Sequence, residues 1–268
     1  MNLPEFRTNK MIKKELTYFL TALMFFTRIP IPFKLDYSDE IMNQSQKYYP
    51  VIGWIVGGIN ALTFFLLQFV LPINISLIVT MIISVLLTGA FHEDGFTDVC
   101  DSFGGGYGKE KILTIMKDSR IGAYGVIGIV LLLLLKYSAM DYLAQISVPF
   151  ICTVIIVAHS TSRFYSGVMI HTHQYVTDID KSKSKPLANK ALPKRTLLVG
   201  LLFTLLPFLL LGNVWYLLIL PFAYLGNVYL GWYFNKHIGG YTGDCLGTVQ
   251  QVTEVLVYLG CIILWKFL

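Results

Sequence analysis

Long runs of apolar residues dominate the chain and recur at intervals that suit membrane-spanning helices. The hydrocarbon core of a bilayer requires about 20 consecutive, mostly apolar residues in a helix. Seven stretches approach that length, and Val130–Leu135 is the most apolar piece. We predict seven membrane crossings, over residues 48–71, 73–91, 122–141, 146–169, 196–212, 214–235 and 249–268.

The N-terminal stretch 16–33 is apolar only in its first part, since Arg28, Pro30 and Pro32 interrupt its end. Basic residues flank it on both sides: Arg7, Lys10, Lys13 and Lys14 before it, and Lys34 and Lys47 after it. If this stretch crossed the membrane, one of these two sets of basic residues would lie on the outer side, against the positive-inside rule. We therefore predict an additional N-terminal helix that lies in the interface or re-enters on the cytoplasmic side.

The composition supports a membrane protein. Of 268 residues, 55% are hydrophobic and only 14% are charged, about half of the share typical of soluble domains. This argues against a disordered chain, a disulfide scaffold and most soluble enzymes. The four cysteines are scattered, without metal-ligand spacing, and the net charge of +5 forms no basic stripe interleaved with aromatics, so we expect no nucleic-acid partner. The predicted fold class is all-α: a polytopic transmembrane helical bundle forming one domain over residues 1–268.

The charged connections all fall on one side of this predicted bundle. They are residues 92–120, 171–195 and 236–248, whereas the other connections are short and nearly uncharged. The positive-inside rule makes the charged side cytoplasmic, in a multi-pass protein of the cell (inner) membrane. The basic tract 181–186 is expected to touch anionic lipid headgroups of the bilayer, although gating over a negatively charged substrate is an alternative.

Three aspartates form the strongest local signal for chemistry. At about 100° per residue, Asp94, Asp98 and Asp101 lie within a wedge of about 60° on one helix face. Three carboxylates on one face repel each other, so a hard divalent cation such as magnesium explains them better than helix stability does. The alternative is a solvated acidic cap on a transmembrane helix.

Glycines and basic residues follow these aspartates. The run 104–108 contains four glycines, and Gly105 and Gly106 could cradle a phosphate or simply form a flexible turn. Lys117 and Arg120 lie at the mouth of the next predicted helix, where they could hold phosphate oxygens or anchor the helix at the membrane surface. Asp118, between them, could contact a metal or a hydroxyl.

Polar residues also occur inside the predicted spans. Arg163 could hold a phosphate or pair with one of the aspartates, whereas we interpret His159 as a satisfied core histidine. Lys136 is expected to snorkel from near its helix end and is left out of the site. Asp244 begins the last helix and is a further candidate metal ligand, and Glu254 follows near the same face. Together these groups predict a membrane-embedded, metal-dependent phosphotransferase.

Several motifs, in the same order along the chain, resemble the adenosylcobinamide-GDP ribazoletransferase (cobalamin synthase) family. The two most specific are His-x-Asp-Gly-x-x-Asp and Met-Lys-Asp-Ser-Arg-Ile-Gly, and Cys100 stands where a small residue is expected. The motif-bearing segments are residues 26–30, 49–53, 91–102, 115–125 and 239–244.

The resemblance implies a reaction in which a hydroxyl of α-ribazole, or of its 5′-phosphate, attacks the diphosphate of adenosylcobinamide-GDP. GMP leaves and adenosylcobalamin or its phosphate forms, with Mg²⁺ required. His92 or an aspartate, either Asp98 or Asp118, would take the proton. The remaining implied roles are metal binding by Asp94, Asp98, Asp101 and Asp244, and substrate binding by Lys117, Arg120, Arg163, Gly105 and Gly106.

Two alternatives and one question of assembly remain open from the sequence. A CDP-alcohol phosphatidyltransferase-like phospholipid enzyme uses a similar aspartate pattern, but Thr97-Asp98 does not supply its Ala-Arg element. A small membrane transporter is a different class. It is disfavoured because no internal repeat is evident and the charges crowd one interface. A homo-oligomer is compatible with the sequence.

Overall fold

The computed structural model describes residues 10–36, 38–176 and 193–268, and this part of the chain is almost entirely helical. The basic tract 181–186 lies outside the described residues. Its β-structure is limited to one isolated bridge between Tyr175 and Tyr241. Short 3-10 helices occupy Gln46–Tyr48, Leu206–Leu211 and Val214–Leu218. The α-helices are α1 Lys10–Phe26, α2 Asp39–Ser45, α3 Tyr49–Leu67, α4 Ile73–Thr88, α5 Phe91–Gly105, α6 Lys109–Met116, α7 Ala123–Ile146, α8 Val148–Thr172, α9 Lys194–Leu205, α10 Ile219–Ile238 and α11 Gly243–Trp265.

The predicted polytopic helical bundle is confirmed. Within the described residues, six helical segments are long and apolar enough to cross a membrane, and the bent pair α4–α5 makes a seventh if it is counted as one span. The helix α1 is not among them. The six segments are Asp39–Leu67, Ala123–Ile146, Val148–Thr172, Lys194–Leu211, Val214–Ile238 and Gly243–Trp265.

A sharp bend between α4 and α5 shapes the end of the bundle that carries most of the charge. Gly89 and Ala90 both have left-handed backbone conformations, with φ of 68° and 58°. The amide of Ala90 donates to the carbonyl of Val85 at 2.9 Å, which closes the last turn of α4. The two helices consequently meet at 91°. The bend turns α5 across the N-terminal ends of α7 and α11 instead of letting it extend the predicted span 73–91.

Proline interrupts the span that is weakest in the sequence. The helix α9 ends at Leu205 and continues as a 3-10 helix that contains Pro207. Proline lacks the amide that an α-helix requires and clashes with the preceding turn, so a change of helix type at this position is expected. Gly212, with φ of 71°, then allows the tight turn into the segment that leads to α10.

The N-terminal helix α1 is fastened to the bundle by polar contacts near both of its ends. Glu15 accepts a hydrogen bond from the Tyr48 hydroxyl at 2.8 Å and pairs with Lys47 at 2.6 Å. After the helix, the amide of Arg28 donates to the carbonyl of Leu87 at 2.7 Å. These contacts hold α1 against the start of α3 and against the α4–α5 bend. Its placement in the membrane interface remains a prediction.

The helices α8 and α11 form the centre of the bundle. They are the most buried of the candidate spans, whereas α7 exposes leucines such as Leu131 and Leu134 on its outer face. Such exposure suits a helix in contact with lipid. Two hydrophobic clusters fill the interior. One surrounds Tyr49 and Phe234 beneath α5, and the other surrounds Phe64 and Leu143 toward the opposite end.

Candidate active site

Two glycines allow α5 and α11 to cross at unusually close range. A Cβ atom on Gly95 would lie 2.9 Å from the Cα of Asp244, and one on Gly247 would lie 3.0 Å from the carbonyl oxygen of His92. Thr248 adds a hydrogen bond from its hydroxyl to the Gly95 carbonyl at 3.4 Å. This crossing brings Asp244 against the first turns of α5, where the predicted aspartates begin.

Asp94 and Asp98 are one helical turn apart on α5, and Asp244 lies on the facing helix. Within the described part of the chain, the carboxylates of Asp94 and Asp98 make no hydrogen bond or ion pair. Asp94 is exposed and Asp98 is half-buried. Asp94, Asp101 and Asp244 all lie close enough to act electrostatically on Asp98. The structure thus gathers the four predicted acidic residues, and it leaves two of them available to a cation or a substrate.

The acidic cluster does not form a metal cage by itself. Among residues 10–36, 38–176 and 193–268, no three His, Cys, Asp or Glu side chains converge closely enough to hold an ion. Magnesium does not need such a cage, because it commonly keeps several waters and is bound by one or two carboxylates together with substrate phosphates. The uncommitted oxygens of Asp94 and Asp98 fit that mode of binding. Magnesium itself stays a prediction.

Asp101 has a structural role that the sequence did not indicate. Its two carboxylate oxygens accept hydrogen bonds from the backbone amides of Gly122 at 2.7 Å and Gly125 at 2.8 Å. These amides belong to the first turn of α7, where a carboxylate is favoured by the helix dipole. Asp101 therefore ties α5 to α7. Its predicted role as a metal ligand is untested, and its oxygens are already engaged.

The glycines of the run 104–108 pack against neighbouring residues more than they form an open loop. Gly105 is the last residue of α5, and the amide of Gly106 donates to the Ser102 carbonyl at 3.0 Å, so it is not available to a phosphate. Of the predicted left-handed positions in the run, only Gly108 adopts one, with φ of 81°. A Cβ on Gly104 would lie 2.6 Å from the ring of Tyr124. Substrate binding by Gly105 and Gly106 stays a prediction.

The loop between α6 and α7 carries the predicted phosphate-binding side chains. Arg120 forms a two-pronged ion pair with Asp118, with Nε–Oδ1 at 3.0 Å and Nη2–Oδ2 at 2.6 Å. Hydrogen bonds from the side chain and the amide of Arg120 lower the pKa of Asp118 to about 2. The Arg120 side chain is 87% exposed, and Lys117 is exposed at the end of α6. Both cations are thus accessible to a ligand, and the loop that carries them leads into the end of α7 that Asp101 binds.

A buried polar network lies deeper in the bundle, and its first member corrects an expectation. Lys136 does not snorkel to the interface: its ammonium pairs with Glu254 at 2.5 Å, and both side chains are buried. Glu254 also accepts hydrogen bonds from Gln250 at 2.8 Å and from Tyr258 at 3.3 Å. The lysine stays inside because a buried carboxylate on another helix compensates its charge, which is the usual condition for an ion within a membrane bundle.

Arg163 and His159 belong to the same network. The Arg163 guanidinium donates to the His159 carbonyl at 3.1 Å and contacts the ring Nδ1 at 3.2 Å, while Asn60 contacts the ring Nε2 at 3.0 Å. The interpretation of His159 as a satisfied core residue agrees with these contacts. Arg163 is 1% exposed and makes no ion pair with an aspartate of the described residues, so the alternative that it pairs with Asp94, Asp98, Asp101 or Asp244 is wrong. Substrate binding by Arg163 stays a prediction.

Glu93 is a polar residue of the site that sequence reasoning missed. Its Oε1 accepts a hydrogen bond from Gln251 at 2.9 Å, which adds a polar contact to the α5–α11 crossing. The neighbouring His92 is 3% exposed, and its ring stacks on Phe26 with centroids 5.7 Å apart and an interplanar angle of 7°. The adjacency of Glu93 to Asp94, together with the unexplained Gln251 inside a span, was the available signal.

These features define a class: a multi-pass helical membrane protein whose acidic and basic groups gather at one end, with a chemistry suited to a polyanionic substrate. The family model described as "Cobalamin-5-phosphate synthase" matches residues 18–262, and the chain belongs to this family.

Curated relatives agree over nearly the whole chain. A protein of Shewanella amazonensis named adenosylcobinamide-GDP ribazoletransferase is 44% identical over 254 residues, covering 95% of this chain and 98% of the relative. Proteins of the same name from Vibrio parahaemolyticus and Leptospira interrogans are each 43% identical and cover 95% of this chain, and 95% and 98% of their own lengths. No solved structure matches the chain.

Proposed function

We propose that this protein joins adenosylcobinamide-GDP to α-ribazole, or to α-ribazole 5′-phosphate, in the final assembly of cobalamin. Its membership of the family and the names of its relatives support this reaction. The structural observation that carries the proposal is the α5–α11 crossing, which gathers Asp94, Asp98 and Asp244. A group of this composition suits the displacement of a nucleotide from a diphosphate.

The proposed reaction replaces a phosphoanhydride linkage with a phosphodiester linkage. A hydroxyl oxygen of ribazole forms a bond to the phosphorus atom next to the cobinamide. The bond from that phosphorus to the bridging oxygen of the diphosphate breaks, and GMP leaves with this oxygen. The hydroxyl proton passes to a carboxylate of the protein. No covalent enzyme intermediate is required, because positioning and charge stabilisation are the main demands of phosphoryl transfer.

The roles of individual residues follow from their surroundings. Asp94 and Asp98 would hold Mg²⁺ together with phosphate oxygens of the substrate, Asp244 would add negative charge beside them, and the bound ion would neutralise charge on the diphosphate. Asp98 is half-buried and has no hydrogen-bond partner among the described residues, so it would be the carboxylate that receives the hydroxyl proton. Lys117 and Arg120 would contact phosphate oxygens, and Arg120 would exchange Asp118 for the substrate. Asp101 would keep their loop beside α5 through its contacts with α7.

We also propose that the site faces the cytoplasm from the cell membrane. The α4–α5 bend, the α6–α7 loop and the start of α11 lie at the same end of the bundle, where the charged connections of the sequence cluster. The positive-inside rule assigns that end to the cytoplasmic side. A site at this end is accessible to water-soluble α-ribazole and lets GMP leave directly into the cytoplasm.

The reaction is tested with purified protein in liposomes supplied with adenosylcobinamide-GDP, α-ribazole and Mg²⁺. Mass analysis of the corrinoids and measurement of GMP release are expected to show one GMP for each adenosylcobalamin formed. Asp98→Asn should abolish most turnover, whereas Asp141→Asn, a matched carboxylate near the far end of α7, should not. Absence of both products from the wild-type protein would refute the proposed function. Normal turnover by Asp98→Asn would remove Asp98 from the site.

A further inference from the structure

An aromatic pocket opens beside the acidic cluster and has no role in the chemistry described above. It lies where α1, α3, α5, α8 and α11 meet. Its walls are mainly aromatic and aliphatic, and they include Gly243 and Gly247 at the start of α11. Asp244 follows Gly243 directly, so a molecule in the pocket would lie next to the proposed reaction centre. The aromatic lining consists of Phe25, Phe26, Tyr49, Phe91 and His92.

The rings contact one another in both geometries that aromatic pairs favour. Phe26 and His92 are parallel, whereas Tyr49 meets Phe26 edge-on at 4.5 Å with an interplanar angle of 84°. At the other side, Phe25 and Phe91 contact each other edge-on at 5.2 Å. Aromatic rings attract further rings in stacked and edge-to-face geometry. A planar heterocycle would therefore find both kinds of partner in this pocket.

Two polar atoms of the residues that line the pocket have no partner. The Nε2 atom of His92 and the hydroxyl of Tyr49 are buried, and neither makes a hydrogen bond within the described residues. A buried polar atom without a hydrogen bond destabilises the folded state. Its presence in a native structure therefore requires an explanation, and a bound ligand that supplies the partner is one. Apolar walls with one or two polar groups that fix orientation are typical of small-molecule sites.

We propose that this pocket receives the base of ribazole, with His92 donating a hydrogen bond from Nε2 to the free ring nitrogen. The base is a flat, fused benzimidazole whose other nitrogen is bonded to the ribose, so it presents one acceptor within an apolar outline. This suits the pocket, where aromatic rings surround two unpartnered polar atoms, and of these two residues His92 is the one on α5, two positions before Asp94. The inference rests on the proposed function, and it assigns His92 to substrate binding rather than to proton transfer.

The pocket is closed before the substrate enters. Its enclosed space is about 10 Å³, which accommodates one water molecule. Phe91 is 41% exposed and Phe25 is half-buried, so these two rings form the rim. Entry of the base would require the rim rings to rotate outward, which would break the contact between them. The parallel pair of Phe26 and His92, which is buried, would form the fixed wall of the pocket.

Because the enzyme has two substrates, the proposal can be tested by measuring the KM for each separately. Phe26→Leu and His92→Leu are expected to raise the KM for ribazole about tenfold, the value of one stacking contact or one hydrogen bond. The KM for adenosylcobinamide-GDP should change less than twofold. His92→Gln restores a donor and should recover part of the loss. The matched control is Phe64→Leu, a buried phenylalanine in the other hydrophobic cluster, which should leave the ratio of the two KM values unchanged.

A ribazole analogue with C–H in place of the free ring nitrogen tests the hydrogen bond itself. Wild-type protein should bind the analogue about tenfold more weakly than ribazole, and His92→Leu should show no such preference. Equal changes in both KM values, or a preference for the ring nitrogen that survives in His92→Leu, would overturn the inference. An active wild-type protein with these results would leave the proposed function intact, whereas an inactive wild-type protein would refute the function instead.

Discussion

Gly95 controls the distance between the two helices that carry the acidic cluster, so Gly95→Ala is the sharpest perturbation of the fold at the site. The new methyl group would lie 2.9 Å from the Cα and 3.0 Å from the carbonyl oxygen of Asp244. Both contacts involve backbone atoms, which cannot rotate away as a side chain can. The helices α5 and α11 must therefore move apart or tilt.

The size of the effect follows from these distances. Restoring ordinary contact at 3.4 Å requires a separation of about 0.5 Å between the two backbones. Overpacking of this kind destabilises a folded protein by about 1–3 kcal/mol. A shift of 1 Å in a catalytic group can cost about 100-fold in rate, so half that shift at Asp244 should lower kcat for GMP release by about tenfold or more.

The assay compares GMP release and the midpoint of thermal unfolding for Gly95→Ala and a matched control. Gly58→Ala in α3 is that control, since a Cβ there meets nothing within 4 Å. The control should keep full activity and an equal or higher midpoint, because alanine is the better helix former. Normal turnover by Gly95→Ala, or an equal loss in Gly58→Ala, would refute the claim that close approach of α5 and α11 assembles the site.

Further predictions concern the ion pairs and the carboxylate that ties α5 to α7. Glu254→Gln should lower the free energy of unfolding by about 3–5 kcal/mol, because it leaves Lys136 buried without its counter-charge, and adding Lys136→Met should recover part of that loss in denaturation curves. Asp101→Ala should destabilise the protein by about 2 kcal/mol and accelerate hydrogen exchange of the first α7 amides, because two hydrogen bonds are lost; unchanged exchange would contradict this. Asp118→Asn should leave the unfolding midpoint unchanged, because its pair with Arg120 is exposed. Since the pKa of Asp118 is lowered to about 2, this pair should persist above the ordinary aspartate range and open only as pH falls toward 2, which carboxyl NMR shifts can follow.

The spans were predictable because a bilayer imposes a simple rule of length and apolarity. The predicted stretches 122–141 and 146–169 correspond to α7 and α8, and even the weak stretch 196–212 forms a span despite Pro207. The rule of length and apolarity did not predict the bend at Gly89 and Ala90. Hydropathy is nearly continuous up to Phe91, and only the left-handed backbone of the two residues ends the helix.

The residues that form the acidic cluster were predictable, but the role of each residue was not. Helical periodicity gathers Asp94, Asp98 and Asp101 on one face, whatever the tertiary structure. That Asp101 would engage the amides of Gly122 and Gly125 depends on how α5 crosses α7. No local pattern encodes such a crossing.

Lys136 is a second residue whose contacts could not be predicted from the local sequence. Near a helix end, a lysine can reach water by its own flexibility, and the sequence around it favours that solution. Its actual partner, Glu254, lies on a different helix far along the chain. The available signal for this pair was the presence of one charged residue in each of two spans. Opposite charges inside a membrane bundle stabilise each other when they pair.

The central claim is that Asp98 and Asp244, on two different helices, act as one site. A double-mutant cycle on GMP release tests it directly, with Asp98→Asn, Asp244→Asn and the combined variant measured at saturating substrates and Mg²⁺. We predict that each single variant loses about 100-fold or more in kcat, and that the combined variant is little slower than the worse single one, because groups that act together are not additive. Losses that multiply in the combined variant would contradict the account.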